Sequence, residues 1–334
     1  METSVIISAI LSGIFSGLVA ALISVGIEKF GGRVGGVLGS SPTTLIPASI
    51  GLFTTIASSM DLQSVVNFQK SMLVVCPAMI INCLFLYCWK YFPNIYQRWT
   101  SNIYALITLI TLTSYLVWFI LAACLVFLTR SISAETVNGD LSFTFIITNG
   151  SVNASFYLAL GSLVLQLLVG VLGSLNYKRT PKSTSKVPWW SNIVRGFAAG
   201  LAIFAAILLG HISPIIGGIT SLFPAIFGTA MISVWLTSGS AVSMGAIEPM
   251  ILGSLSVSFF AFEFAFILPL FNSWMHTGLA ITLATILCYV ISVTLFSFPI
   301  LKFLEWRTKL NSDNLEEEVA IEEPEDKTDD EKSP

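Results

Sequence analysis

The chain has 334 residues, of which 54% are apolar and only 10% are charged. A soluble domain carries about 25% charged residues, so a water-facing surface of ordinary composition is excluded. The charges are unevenly placed, because residues 311–334 hold 11 of the 19 acidic side chains and only 2 of the 16 basic ones. A mildly basic body therefore precedes a strongly acidic tail. Neither part forms a long basic arm, so no nucleic-acid partner is expected.

Apolar runs of roughly 20 residues recur along the body, which is the length that a helix needs to cross about 30 Å of hydrocarbon. The sequence therefore predicts an all-α polytopic membrane protein, embedded in the lipid bilayer, with about nine transmembrane helices. The predicted spans are 5–27, 34–58, 66–89, 102–129, 155–177, 193–210, 215–236, 243–268 and 274–303.

Lysine and arginine collect after the first, third, fifth and ninth of these spans. Because basic residues accumulate in cytoplasmic loops, this alternation predicts an outside N-terminus and a cytoplasmic C-terminus, in the plasma membrane or an endomembrane. The longest outer connection contains two N-glycosylation sequons, at Asn149 and Asn153. A glycoprotein is expected if the source cell glycosylates.

Three short blocks of sequence occur twice, in the same order, at offsets of 182, 172 and 174 residues. Three ordered blocks are much harder to attribute to chance than one, and they indicate an internal duplication. The paired blocks are Gly35-Gly36…Pro42 with Gly217-Gly218…Pro224, Ser71-Met72…Pro77 with Ser243-Met244…Pro249, and Thr108…Thr111…Tyr115 with Thr282…Thr285…Tyr289.

The duplication divides the chain into two predicted membrane repeats of four helices, joined by a linking helix. Five crossings separate the starts of the repeats, and because five is odd the repeats are predicted to have inverted topology, as in many secondary transporters. The tail is predicted to be disordered. The predicted segments are repeat 1 (1–129), an outer loop (130–154), the linking helix with a basic cytoplasmic loop (155–192), repeat 2 (193–310) and the acidic tail (311–334).

The second span of each repeat is interrupted by glycine and proline. Corresponding interruptions in two halves point to a transporter's binding site, because a broken helix offers free backbone groups inside the membrane. The alternative is that the glycines allow close packing and the hydroxyls bond their own backbone. The predicted substrate-binding residues are Ser40, Ser41, Pro42, Thr43, Thr220, Ser221 and Pro224. The predicted backbone breaks lie at Gly35, Gly36, Gly217, Gly218, Pro77 and Pro249.

Glu248 is an isolated carboxylate in the eighth span, with no lysine or arginine within four residues along the chain. Intramembrane acids usually face the bundle interior or a cavity, so Glu248 is predicted to couple transport to protons or a cation. The alternative is a carboxyl at the membrane interface. Glu263, fifteen residues further on, is interpreted as interfacial.

A sulfur-rich stripe in the third span, formed by Met72, Cys76, Met79 and Cys83, would suit monovalent copper. The matched positions of the second repeat do not complete a sulfur site, so neither a metal nor a cofactor is expected. Zinc-protease, P-loop and nucleophile-elbow motifs do not occur in the sequence. An enzyme is therefore not expected, and an intramembrane lipid enzyme would lack a recognisable nucleophile and base.

The predicted function is that of an integral membrane secondary transporter or facilitator of a small polar or ionic solute. The solute would be met by freed backbone groups and hydroxyls between the two repeats. The alternative is a non-transporting membrane scaffold or accessory subunit, whose acidic tail recruits a cytosolic partner.

Overall fold

A computed structural model of the chain describes residues 3–30, 37, 40–57, 61–132, 150–175 and 189–322. All regular elements in these ranges are helices, and no strand occurs among them. The first half forms α1 (Thr3–Phe30), α2 (Leu45–Ile56), α3 (Leu62–Leu73), α4 (Val75–Tyr96) and α5 (Ile103–Ile132). The linking helix is α6 (Gly150–Gly173). The second half forms α7 (Trp189–Ile212), α8 (Pro214–Thr220), α9 (Ala225–Ser238), α10 (Ser240–Gly245), α11 (Ile247–Gly253), α12 (Leu255–Trp274), α13 (Thr277–Ser292) and α14 (Phe298–Glu322).

Eight helical segments of the described residues are long and apolar enough to cross a membrane. Large apolar side chains such as Leu22, Leu112 and Phe127 are exposed on their outer faces, as contact with lipid requires. The prediction of an all-α, multi-pass membrane protein is therefore confirmed. The segments are Thr3–Leu22, Leu62–Tyr96, Ile103–Arg130, Ala154–Gly173, Trp189–Ile212, Pro214–Thr237, Ser240–Trp274 and Thr277–Leu310.

The predicted second span, residues 34–58, contains a shorter apolar helix, Pro42–Ile56. It consists of a 3-residue 3-10 turn and the 12-residue α2, which together rise roughly 22 Å and so fall short of the hydrocarbon thickness. Gly35 and Gly36 lie outside the described residues. The count of nine crossings therefore stays a prediction.

The tail differs from its predicted disorder over its first part. The backbone of α14 is helical as far as Glu322, and residues 323–334 lie outside the described part of the chain. Leucine, glutamate and alanine dominate residues 315–322, and these residues have high helix propensity.

The first helices of the two halves, α1 and α7, cross at four glycines. A Cβ added to Gly17 would lie 2.8 Å from the carbonyl oxygen of Gly196, and one added to Gly13 would lie 2.9 Å from that of Gly200. Glycine is therefore required for the two backbones to approach this closely. Since Gly13 faces Gly200 while Gly17 faces Gly196, the two helices run antiparallel.

The kinked helices α3–α4 and α10–α12 lie at the centre of the bundle. Their apolar windows are 78% and 72% buried, against 28% for the window of α1. Large aromatic side chains fill the space between them, among them Phe68, Phe85, Trp89, Phe260 and Phe264, all fully buried. The two helices that carry the paired Pro77 and Pro249 thus form the core, and the other helices surround them.

Candidate functional site

A small cavity of about 60 Å³ lies between the two interrupted helices. Its walls include Ser40 and Ser41 from the break before α2, together with Ser221 and Pro224 from the break before α9. We call it the central cavity. Four of the seven residues predicted to bind substrate therefore surround one space, although they come from positions about 180 residues apart in the chain.

The other three residues of that set do not line the central cavity. Pro42 is buried at the start of the 3-10 turn, and Thr43 lies beside the Ser41 hydroxyl, with 3.4 Å between the two oxygens. Thr220 is the last residue of α8.

Gly217 and Gly218 serve close packing rather than the central cavity. A Cβ on Gly217 would overlap the backbone of Gly210, and one on Gly218 would overlap the carbonyl oxygen of Ser71. The contacts of Gly217 and Gly218 therefore agree with the alternative interpretation, in which glycines allow close packing of helices.

Each break has a carbonyl two residues before its proline, and a side chain from the opposite half of the chain lies close to it. The Asn82 amide on α4 donates to the carbonyl oxygen of Leu222, with an N···O distance of 2.8 Å. The Ser256 hydroxyl on α12 donates to the carbonyl of Gly253 at 2.7 Å and lies 3.5 Å from the carbonyl oxygen of Ser40. The carbonyl of the second break is therefore satisfied by a side chain of the first half, as hydrocarbon surroundings require.

Asn82 is a functional residue that the sequence analysis missed. It is 2% exposed, it lines the central cavity, and its side-chain oxygen accepts a 2.7 Å hydrogen bond from the Trp118 indole. The sequence feature that could have indicated Asn82 is its amide side chain among apolar neighbours in the predicted third span. Both ends of the amide are used, so Asn82 positions the break rather than facing a solute with free polar groups.

An aromatic wall closes the central cavity on the side of α5. Phe223 of the second break stacks on Tyr115 at a centroid distance of 5.2 Å and makes an edge contact with Trp118 at the same distance. The Tyr115 hydroxyl also donates to the carbonyl oxygen of Pro224, at 3.3 Å. Three side chains of the first half thus fix the conformation of the second break.

The serine hydroxyls around the central cavity differ in their partners. Ser40 donates to the carbonyl of Val37, and Ser221 donates to that of Gly218. The Ser16 hydroxyl of α1 also lines the central cavity, where it is fully buried and has no hydrogen-bond partner among the described residues. Ser16 lies between the glycines of the α1–α7 crossing, so the crossing sets its position.

Pro77 and Pro249 each lie three residues after a one-residue interruption of their helix. The interruptions are at Val74, between α3 and α4, and at Ala246, between α10 and α11. A proline cannot donate to the carbonyl four residues earlier, which accounts for a kink near this position in both helices.

Glu248 has a counter-ion that the sequence does not reveal. Its carboxylate lies 2.5 Å from the ammonium group of Lys90, which is near the other end of α4 from Pro77. Glu248 does not line the central cavity. The partners are 158 positions apart, which is why the local search for basic neighbours missed this pair. Glu263 accepts a 2.7 Å hydrogen bond from Ser292, which directly precedes the π-helical Val293–Ser297.

The sulfur stripe is used for packing and weak hydrogen bonding. The thiol of Cys76 donates to the carbonyl of Ser258, and that of Cys83 lies 3.9 Å from the hydroxyl of Ser254. The same two serines bond both ends of the Gln166 amide, each at 2.7 Å. The linking helix α6, which carries Gln166, is therefore joined to the core by a buried polar network.

Comparison of the chain with protein-family models, with characterised proteins and with solved structures gives no match. The proposed function therefore depends on the geometry of the site.

We expect Asn82→Leu to destabilise the fold by about 1–3 kcal/mol for each group that it leaves unpartnered, namely the Leu222 carbonyl and the Trp118 indole. Thermal unfolding in detergent, followed by size-exclusion chromatography, would measure the loss. Asn67→Ala is the matched control, since that side chain bonds only the exposed Gln63 in the same helix. Equal stability of the two variants would contradict the positioning role.

Proposed function

We propose that the protein is a secondary transporter or facilitator of a small polar or ionic solute. The observation that carries this proposal is the central cavity, which both breaks line inside the apolar bundle. Non-helical backbone within a membrane is tolerated where it is buried in protein or lines a cavity, and transporters place their solute at such positions. A scaffold of close-packed helices would have no need of a polar cavity there.

The proposal includes an inverted relation between the two halves, and three pairs of corresponding helices support it. Helix α1 runs antiparallel to α7 at the glycine crossing. Helix α4 runs antiparallel to α12, because Cys76 contacts Ser258 while Cys83 contacts Ser254. Helix α2 runs antiparallel to α1. Helix α9 runs antiparallel to α7 and therefore parallel to α1. Helices α2 and α9 are therefore antiparallel to each other. This is the relation that a two-fold axis in the membrane plane would generate.

The inverted relation can be tested with two cysteine variants at equivalent turns. Thr100→Cys lies between α4 and α5, and His276→Cys lies between α12 and α13. We expect a membrane-impermeant maleimide to label His276→Cys from outside and Thr100→Cys only after permeabilisation, with the unsubstituted protein as the control for its five cysteines. Labelling of both turns from one side would contradict the inverted architecture and the proposed orientation.

Transport itself is tested with purified full-length protein in proteoliposomes and a panel of small ions and neutral polar solutes. We expect flux of at least one solute, and at least a tenfold reduction by Ser221→Leu, because the larger side chain fills the central cavity. Ser273→Leu, at the exposed end of α12, is the control. Deletion of residues 311–334 should leave the flux unchanged. Absence of flux across the whole panel would contradict transport and favour the scaffold.

The coupling role proposed for Glu248 must account for its Lys90 partner. If the carboxylate carries the coupling charge, Glu248→Gln removes the response of flux to a pH or cation gradient, whereas Lys90→Gln retains it. If the pair only stabilises the fold, both single variants lose stability and the double variant recovers part of it. Gradient-driven uptake and thermal unfolding of the three variants distinguish these outcomes. An unchanged gradient response in Glu248→Gln would remove the coupling proposal alone.

A further inference from the structure

We propose that the central cavity binds a small monovalent anion. This assignment names the solute class of the proposed function and rests on it. It follows from which polar groups around the central cavity have partners and which do not.

Two helices begin at the central cavity. Thr44, which ends the 3-10 turn, and Leu45, the first residue of the 12-residue α2, line one side, and Ala225 and Ile226 of the 14-residue α9 line the other. A helix N-terminus carries roughly half a positive elementary charge, from aligned peptide dipoles and amides without an intrahelical acceptor. Because α2 and α9 run antiparallel, their positive ends meet at this space from opposite directions.

Amide donors at the start of α9 have no acceptor in the described structure. The first regular bond of this helix runs from the Gly228 amide to the carbonyl of Pro224, at 2.9 Å. The amides of Ile226 and Phe227, both residues of the cavity wall, make no hydrogen bond to a described residue. An amide inside an apolar bundle costs free energy unless a ligand or a water molecule accepts from it.

A third donor comes from a different helix. The Ser16 hydroxyl is fully buried, it lines the same space, and no residue in the described part of the chain forms a hydrogen bond with it. It reaches the central cavity from α1, independently of the two helix N-termini, so donors approach from more than one side.

The carbonyls of the second break that would favour a cation already have donors. The carbonyls of Leu222 and Pro224 accept from Asn82 and Tyr115, respectively. The described residues that line the central cavity include no acidic or basic side chain. Unused donors and a positive helix field therefore dominate, and both stabilise negative charge.

The size of the cavity limits the ligand. A volume of about 60 Å³ corresponds to about two water molecules at roughly 30 Å³ each. A small inorganic monovalent anion with one water fits, whereas a sugar or an amino acid would need a larger space.

The experiment uses full-length protein in proteoliposomes loaded with potassium chloride. Valinomycin makes the membrane permeable to potassium, so chloride efflux, recorded with a chloride electrode, reports anion permeation. Parallel arms follow sodium uptake and the entry of urea. Chloride efflux well above that of protein-free liposomes is the expected result. Flux of sodium or urea without chloride would overturn the anion assignment and leave transport standing, whereas no flux in any arm would overturn both.

Two variant pairs connect the flux to the central cavity. Ala202 lines it on α7, so Ala202→Asp introduces a negative charge and Ala202→Asn introduces nearly the same volume without charge. We expect chloride efflux at least tenfold lower for Ala202→Asp than for Ala202→Asn. We also expect Ser16→Ala to reduce efflux at least threefold, while Ser8→Ala, two turns earlier on α1 and bonded to Thr54, does not. Size-exclusion elution of each variant confirms that it is folded. Equal efflux within both pairs, in folded variants, would contradict the assignment.

Discussion

Polar backbone groups cannot remain unpartnered in hydrocarbon, and the two helix breaks are where this constraint acts most strongly on the chain. At the second break the carbonyl of Leu222, two residues before the proline, accepts a hydrogen bond from Asn82 of the first half. The second half cannot therefore form its break alone without leaving a buried acceptor unpartnered. The two halves must assemble around a shared centre, and the central cavity is the space that remains between their breaks.

The close approach of α1 and α7 complements the hydrogen bond from Asn82. Four glycines allow contact between the two backbones, so these helices hold the halves together without large side chains at the crossing. The same crossing brings Ser16 to the wall of the central cavity. The glycine crossing, which has no polar side chain of its own, thus determines where the buried Ser16 hydroxyl faces the central cavity.

Helix α6 contributes more than a connection between the two halves of the chain. Through Gln166, α6 bonds Ser254 and Ser258 of the second half, and Ser258 in turn accepts from Cys76 of the first half. The pair formed by Lys90 and Glu248 joins the same two kinked helices nearer one end. These contacts surround the core on sides that the breaks do not reach, and they restrict how far the halves can move apart.

The sequence by itself determined the helical membrane class and most of the span positions, because apolar length is a local property of the chain. It also indicated Ser40, Ser41, Ser221 and Pro224, which do share one cavity. Only the tertiary structure decided that Gly217 and Gly218 pack against neighbouring helices, that Glu248 has Lys90 as its counter-ion, and that Asn82 satisfies the second break. Each of these depends on which distant residue lies opposite, and no spacing along the chain records that distance.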